Sequence, residues 1–328
     1  MQLPVSLREI LDRHAARFKL LELREAHERI SRGYRGGRAV AQLSEAECAA
    51  YAVARMPATY AVCRTVLDEV AARLAPAQIV SLLDLGAGLG SMLWAAADVL
   101  PALESATLVE ADAAMLRLGS VLAAEEETLP KAGWVSGDLR SQPLAEHDLV
   151  TFSYSLGELA EKDAAKVLEL AWRAAGRALV IIEPGMPAGF ERVRRWRDQL
   201  LKMGAHMMAP CPHTAPCPLN APDWCHFAQR VERTSLHRRL KGGELGHEDE
   251  KFSYIAVSRE PAALPFARII RHPQATAGAI KLELCTQNGL NRTVATKRDR
   301  EEFRQARHAR WGDAWEPAQK LADQADGI

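Results

Sequence analysis

The sequence predicts an α/β protein: a doubly wound, mostly parallel sheet with an N-terminal helical segment, a cysteine-rich insertion and a small β-rich appendage at the C-terminal end. Three observations point there. From residue 79 onward, continuous apolar runs alternate with helical stretches at the spacing of βαβ units. Ahead of them, residues 5–75 carry the three–four periodicity of helices. Behind them, Pro and Cys crowd residues 209–227, and the chain then returns as short strands separated by turn residues.

In the helical segment, Leu7, Ile10, Leu11, His14, Phe18 and Leu21 recur at helical spacing, and Ser44 with Glu47 has the pattern of a capping box. SRGYRGGRAV (31–40) is a Gly- and Arg-rich break, Met56-Pro57 is a second, and a helix is expected through Tyr60–Leu74, making three in all. IVSLLDLG (79–86) reads as a strand buried on both faces. Helix SMLWAAADVL, strand ATLVEAD, helix AAMLRLGSVLAAEEE, strands GWVSGD and HDLVTFSYS, helix LAEKDAAKVLELAWRAA and strand RALVIIEPG follow in turn. A helix over Pro187–Met203 comes next, then the Pro/Cys/His segment, then strand KFSYIAVSR (251–259). The tail offers strands FARIIRH, GAIKLELCT and LNRTVAT and a basic helix, DREEFRQARHAR. The expected division is 1–75 helical, 76–262 the α/β domain with an insertion over 206–250, and 263–328 the tail.

Composition narrows the class. Hydrophobic residues make up 48% and charged ones 26%, enough to bury a substantial core, which excludes a disordered or collagen-like chain. No apolar run of eighteen residues exists, so no membrane span is expected. The N-terminus carries charges every few residues and lacks the apolar core of a signal peptide, so a cytoplasmic home is expected. There, clustered cysteines bind metal more often than they pair as disulfides. Forty-two basic residues balance forty-two acidic ones, which argues against wholesale polyanion binding but leaves room for a basic face.

The strongest enzymatic signal is Leu82-Leu83-Asp84-Leu85-Gly86-Ala87-Gly88-Leu89-Gly90. Glycines between a strand and a helix let the backbone approach a ligand, and an acid just before them suits a ligand with an amino group better than a pyrophosphate. Glu110 ends the second strand, where a carboxylate can accept both hydroxyls of a ribose. Gly137-Asp138 ends the third, where one can accept from an adenine amine. Over residues 79–185 and 251–259 the chain resembles the Rossmann-like class I S-adenosylmethionine-dependent methyltransferases, through LLDLGAGLG, LVEADAAML and SGD. The resemblance implies that Gly86, Gly88 and Gly90 line S-adenosylmethionine, Asp84 faces its methionine end, Glu110 holds the ribose and Asp138 the adenine. The fourth-strand end, Phe152-Ser153-Tyr154-Ser155-Leu156-Gly157-Glu158-Leu159, is not the Asn/Asp-Pro-Pro-aromatic acceptor motif, so no catalytic residue is assigned.

Cys211, Cys217 and Cys225 fall within a loop stiffened by five prolines, and Cys285 lies sixty residues further on in an expected strand. Four thiolates suit either tetrahedral zinc or a four-cysteine iron–sulfur cluster, and His213 or His226 can replace one of them. A methyltransferase-like domain interrupted after its fifth strand by C-P-H, C-P-L and D-W-C-H-F resembles the methyltransferase-like assembly-factor family of the mitochondrial small ribosomal subunit, which has bacterial members. Leu156-Gly157-Glu158-Leu159 and Glu183-Pro184-Gly185 belong to the same match. This resemblance implies a 4Fe-4S cluster, in preference to zinc, on Cys211, Cys217, Cys225 and Cys285, and an association with small-subunit ribosomal RNA.

Basic residues concentrate over 192–202, 230–241 and 291–310, and three such runs suggest a phosphate-binding surface. The expected function is a small-subunit-associated, S-adenosylmethionine-binding protein that acts in ribosome assembly by binding ribosomal RNA and the pre-ribosomal small subunit. Neither membrane nor DNA is an expected partner. The alternatives are a catalytically active ribosomal RNA methyltransferase and a small-molecule methyltransferase with a structural zinc.

Overall fold

The structure is a computed structural model and describes residues 1–35, 43–74 and 79–317. It divides into two units. The first comprises Met1–Glu183 with Gln229–Glu250; the second comprises Pro184–Ala228 with the chain from Lys251 onward.

The first unit begins with helices α1 (Val5–Ala15), α2 (Leu20–Arg35), α3 (Glu45–Ala54) and α4 (Met56–Ala71). That is one more than the periodicity predicts, because the stretch through Leu21 breaks in two. The Ala16 N–H closes α1 by donating to the Asp12 carbonyl, and Phe18, in the connection, packs against a cluster of Ala15, Leu23, Ala26, Ala49, Ala50 and Val53. Leu21 is left exposed. The Ala-rich face of α3 keeps that cluster tight. The capping box is present in full: Ser44 Oγ accepts from the Glu47 N–H, and the Glu47 carboxylate accepts from the Ser44 N–H. Pro57 sits in the first turn of α4, where its missing N–H costs nothing. Of the expected break at 31–40, the described part is helical to Arg35; the remainder lies outside the described residues.

Next come β1 (Ser81–Leu85), α5 (Ser91–Val99), β2 (Ser105–Glu110), α6 (Ala113–Ala124), β3 (Lys131–Ser136) and β4 (His147–Ser153). A 3₁₀ turn (Leu156–Glu158), α7 (Glu161–Ala174) and β5 (Ala175–Pro184) follow. The strands lie in the order β3-β2-β1-β4-β5, every pair parallel. Strands β1, β4 and β5 are buried along most of their length, which is why they read as unbroken apolar runs. The order reverses at β1, so the crevice beyond the C-terminal ends of β1 and β4 is the switch point where such sheets bind ligands. This is a Rossmann-like, doubly wound arrangement.

Beyond β5 lie α8 (Pro187–Lys202), β6 (His206–Ala209), β7 (Phe227–Glu232), α9 (Ser235–Lys241) and β8 (His247–Ser258). The stretch 206–250, expected as an insertion, therefore carries regular elements of its own. Its strands escape a pattern reading because they are short and only partly apolar, as in FAQRVE. Between Pro210 and His226 there is no helix or strand, and that segment holds three of the cysteines. In the second unit β6 runs antiparallel to β8.

The tail forms an antiparallel sheet from β9 (Ala267–Ile269), β10 (Gln274–Ala275), β11 (Ala279–Thr286), β12 (Gly289–Thr296) and β13 (Ala314–Trp315). Helix α10 (Arg300–His308), capped by Asp299, closes it over a core of Ala267, Ile269, Ile280, Leu282, Leu284, Ala295, Ala306 and Trp315. Among the described residues no helix is long and apolar enough to cross a membrane.

Candidate cofactor and metal sites

The first site lies at the switch point of the parallel sheet. Gly86, Gly88 and Gly90 have φ of +77°, +55° and +80°, a left-handed run that side chains resist. A Cβ on Gly86 would fall 2.3 Å from that of Ser155, whose hydroxyl donates to the Leu85 carbonyl at 2.5 Å. A Cβ on Gly88 would meet nothing within 4 Å: the loop opens there.

Asp84 is 1% exposed. Its Oδ1 accepts from Thr151 Oγ1 at 2.8 Å, across the β1–β4 register, while Oδ2 is buried without a hydrogen-bond partner. Burial, reinforced by the Glu110 charge, pushes its carboxyl up to about 7 despite the Thr151 hydrogen bond. Glu110 accepts from the Gly88 N–H at 2.7 Å and the Asp112 N–H at 2.8 Å, so it straps the glycine loop to the end of β2. Burial raises its carboxyl, and those backbone donors pull it back. Asp138 is exposed and engaged: Arg140 grips its carboxylate with Nε and Nη2, which holds it down at about 2. The structure thus places Asp84, the three glycines and Glu110 in one constellation, with Asp138 beyond the end of β3 on a partner of its own.

Sequence reasoning missed the residues that complete this site. Tyr154, just past β4, has φ +63°, a left-handed conformation unusual for an aromatic residue, and its buried hydroxyl lacks a hydrogen-bond partner. Glu183, 1% exposed, accepts from the Gly157 N–H at 3.0 Å. Glu158 is exposed as a residue, and its carboxyl is nudged upward by partial loss of water and by repulsion from Glu110 and Glu183. An acid pattern of this kind has no short-range signature.

The second site lies entirely within the second unit. Cys211, Cys217, Cys225 and Cys285 all line one cavity of about 50 Å³, together with His213, Arg197 and Arg268. Sheet register delivers the distant cysteine: on β11 and β9, Cys285 stands opposite Arg268. Side chains hold the loop by its carbonyls. Ser253 Oγ donates to Cys225 O at 2.8 Å, Arg268 Nε to Pro210 O at 2.9 Å, and Arg197 Nη2 to Ala215 O at 2.7 Å and His213 O at 3.1 Å. All six cysteines of the chain are free thiols. Burial pushes Cys285 up to about 12 and Cys225 well above the ordinary thiol range, with further repulsion from the neighbouring cysteines. Arg197 and Arg268 act in the opposite direction on Cys211 and Cys285.

The two histidines of this loop differ. His213 Nε2 lies 3.4 Å from Cys285 Sγ, inside the cavity. His226 is not among the cavity's walls; it stacks on Trp224 at 5.0 Å and meets the edge of Trp311 at 4.7 Å. Among the described residues no three His, Cys, Asp or Glu side chains converge closely enough to hold a single ion.

The three basic runs separate on inspection. Arg197 is 3% exposed and belongs to the cavity wall. Arg233 and Lys241 share the Glu248 carboxylate at 2.6 and 2.9 Å, Arg230 pairs with Asp249, and His237 is buried, its ring pushed down to about 4 by burial and by Lys241. Ion pairing and burial therefore use up most of the 230–241 run. Over 291–310 the cations are exposed: Lys297, Arg298, Arg300, Arg307 and Arg310, with Arg304 paired only to its helix neighbour Glu301. The 192–202 run keeps Arg195 and Lys202 at the surface, and Arg238 and Arg239 stay exposed in the second, so the run over 291–310 is the most exposed of the three. Phe227 beside the loop and Trp315 in the tail sheet are both buried.

Comparison with known proteins gives these sites a context. Human mitochondrial ribosome assembly protein METTL17 is 31% identical over 290 residues, covering 80% of this chain and 61% of that protein. The fission yeast Rsm22-cox11 tandem protein 2 is 25% identical over 226 residues, covering 53% of this chain and 30% of that one. The chain thus spans less than two thirds of either relative. Among solved structures, the magnesium protoporphyrin IX methyltransferase of Synechocystis aligns at a TM-score of 0.42 with 12% identity, over 69% of this chain and 92% of that one. A methyltransferase from Aquifex aeolicus aligns at 0.38 with 16% identity, over 60% and 89%. The family model described as mitochondrial small ribosomal subunit Rsm22 matches residues 45–316. That match opens at the first residue of α3 and closes one residue past β13, so it takes in the glycine loop and all four cavity cysteines. This chain belongs to the Rsm22 family.

Proposed function

We propose that this protein is an S-adenosylmethionine-binding, small-subunit assembly factor that holds an iron–sulfur cluster on Cys211, Cys217, Cys225 and Cys285 and acts by binding ribosomal RNA. The observation that carries the reading is the convergence of three loop thiols and the sequence-distant Cys285 on one cavity in a chain of this family. The donor set is all soft sulfur, which suits zinc or an iron–sulfur centre. Zinc draws its sulfurs to about 2.3 Å of one point. The preference for the iron–sulfur centre comes from the resemblance to the assembly-factor family. When bound, the cluster would fasten the loop to the β-rich tail and supply a one-electron couple; the protein's part is to enclose it.

At the glycine loop the fit rests on two features: the unpartnered Asp84 Oδ2, which wants a donor such as an amino group, and the open space at Gly88. Assembly as the role comes from the kinship with a ribosome assembly protein, and α10 with the turn before it supplies the phosphate-binding face. Anaerobic purification tests the centre: iron and sulfide in brown protein support the cluster, and colourless protein with stoichiometric zinc overturns it. Replacing Arg298, Arg304 and Arg307 with Glu tests the face, and should weaken binding to small-subunit RNA and flatten its salt dependence while leaving the fold melting normally.

A second reading, active methylation, has one observation of its own. Tyr154 is held in a costly left-handed conformation with its hydroxyl buried, and strain of that kind collects at functional sites. Tyr154→Phe distinguishes the two readings. Loss of a methylated nucleotide from the RNA, with assembly failing alongside, establishes the enzyme; normal assembly supports the binding role.

A further inference from the structure

Trp224, His226, Trp311 and His272 form a continuous row of four rings in the second unit, and none of them lines the cysteine cavity. Trp224 stacks on His226 at 5.0 Å, with 18° between the planes. His226 meets Trp311 at 4.7 Å and 79°, and Trp311 meets His272 at 4.7 Å and 67°. The row runs outward from a buried member. His226 is 8% exposed, the two indoles are half-buried, and His272 is exposed. Trp311 is no part of the tail core, which takes Trp315 instead.

Backbone contacts hold the row at both ends. The turn over 310–313 is pinned to the end of β9: the Gly312 N–H donates to Ile269 O at 2.9 Å, and the Ile269 N–H to Asp313 O at 3.0 Å. Asp313 Oδ2 accepts from the Arg310 N–H at 2.7 Å. Gly312 has φ +100°, a geometry that glycine adopts without strain. At the other end, Trp224 Nε1 donates to Gly185 O at 3.1 Å, and Arg271 pairs with Asp223 beside it. Rings fixed in this way lose little freedom when a ligand settles on them.

Helix α10 leads straight into that turn. Lys297, Arg298 and Arg300 stand exposed at its start, and Arg307, His308 and Arg310 at its end. Cations followed directly by rings suit a polymer that offers both phosphates and bases. Rings do nothing for a phosphate; they offer a flat apolar surface to another flat ring. In a paired helix the base faces already stack on one another, and the grooves of A-form RNA keep side chains off them. Unpaired bases leave those faces open to Trp and His.

We propose that the row ending in His272 is a base-stacking platform, and that it makes unpaired RNA strand, rather than duplex, the ligand of this face. The inference rests on the reading that the protein binds RNA through α10 and the turn before it. The cations hold the phosphates of the strand, and His272 and Trp224, the two ends of the row, receive its bases.

The test uses the full chain and three labelled oligonucleotides of one small-subunit RNA sequence: the unpaired strand, the same strand in a duplex, and the strand made abasic at its central positions. Affinity is read by fluorescence anisotropy on wild type, His272→Ala, Trp224→Leu and Trp224→Phe. Wild type should bind the unpaired strand roughly tenfold more tightly than either of the others, the effect of about two weakly stacked bases. His272→Ala should lose about fivefold on the unpaired strand, the lower end for one stacked base, and nothing on the abasic one. Trp224→Leu should lose as much, and Trp224→Phe, which keeps a ring, should recover most of it. Because His272 is exposed, its variant should melt as wild type does and keeps the test valid even where Trp224→Leu loosens the loop. Ring variants with wild-type affinity for the unpaired strand overturn the platform. Equal losses on the unpaired and abasic strands do so too, since the rings would then only hold the phosphate face in place. A wild-type preference for the duplex also overturns it. If reversal of Arg298, Arg304 and Arg307 abolishes binding while the ring variants bind normally, the RNA reading stands and the platform alone is lost. Wild type that binds none of the three oligonucleotides overturns the RNA reading itself.

Discussion

The glycine-loop site and the cysteine cavity solve the problem of holding a group in opposite ways. The first is a backbone site. Three left-handed glycines, two strand-end carboxylates and a serine cross-brace lie within elements that follow one another in sequence, and the parallel register fixes them before any ligand arrives. The second is a side-chain site. Its cysteines come from a loop without helix or strand and from a strand sixty residues later, and its walls include two buried arginines. A backbone site is preformed and loses little when empty. If a side-chain site of soft thiols and buried cations holds a metal centre, it is unfinished without it. The difference predicts that losing the ligand should matter far more to the stability of the second unit than to that of the first.

The largest effect should therefore follow removal of a cavity cysteine. Cys285→Ser should lose the metal and destabilise the protein by about 4 kcal/mol, the scale of a lost structural metal. Cys48→Ser, equally buried but set in α3, should cost about 1 kcal/mol and keep full metal content. Melting curves and metal assays on both proteins check this. Equal metal content in the two would give the fourth ligand position to His213, which sits 3.4 Å from Cys285 Sγ.

Next in size is the backbone site. Gly88→Arg places a side chain in the open space of the loop and should weaken S-adenosylmethionine binding at least 100-fold, about 2.7 kcal/mol. Because φ is +55° there, some backbone strain is added, on the order of 1 kcal/mol, so the protein should still fold. Calorimetry with unchanged affinity would reject the site, and a collapse in melting temperature would reject its independence from the fold.

The same contrast decides what could be read from the chain. The parallel sheet was legible because burial on both faces turns β1, β4 and β5 into apolar runs, and the glycines announce a left-handed turn by composition alone. Asp84 and Glu110 were legible because strand ends are predictable and ligands gather there. The extra helical boundary after Ala15 was not, since periodicity carries across a short turn when Phe18 still packs inward. Arg197 and Arg268 were illegible in principle. In sequence Arg197 belongs to a basic run that reads as a solvated face, and only the packing of the second unit puts it inside. The Glu248 pairs likewise turned a stretch of apparent phosphate ligands into internal ion pairs.

A smaller effect separates ligand binding from stability at Asp84. The folded protein raises this carboxyl from its ordinary value of 3.8 to about 7, so the fold favours the protonated form. Its stabilising contribution is complete below pH ~4 and is lost as pH rises through 7. Asp84→Asn removes that dependence while the amide oxygen can still accept from Thr151. At pH 8 the unliganded variant should be more stable than wild type by about 2 kcal/mol, and at pH 5 the gap should shrink. Binding should move the other way: wild type tightens its hold on an ammonium-bearing ligand as the acid ionises, whereas the variant binds weakly at every pH. Thermal melts at the two pH values, with calorimetry beside them, read both effects. Parallel curves would show that Asp84 is already ionised in the folded state.

The smallest effect is expected at Asp138, and it tests how far the backbone site extends. Its carboxylate is exposed and held by Arg140, with Nε and Nη2 both donating, so it is ionised throughout the working range and contributes little to the fold. If it reaches the adenine amine it must do so with lone pairs not already engaged by Arg140, which makes it a weaker acceptor than a free carboxylate. Asp138→Ala should therefore leave the melting temperature unchanged and weaken S-adenosylmethionine binding by less than about tenfold, one hydrogen bond's worth. Arg140→Ala provides the opposing arm, because it frees the carboxylate and should tighten binding slightly. A loss in Asp138→Ala with a gain in Arg140→Ala places the adenine at the end of β3. No change in either ends the site at Glu110.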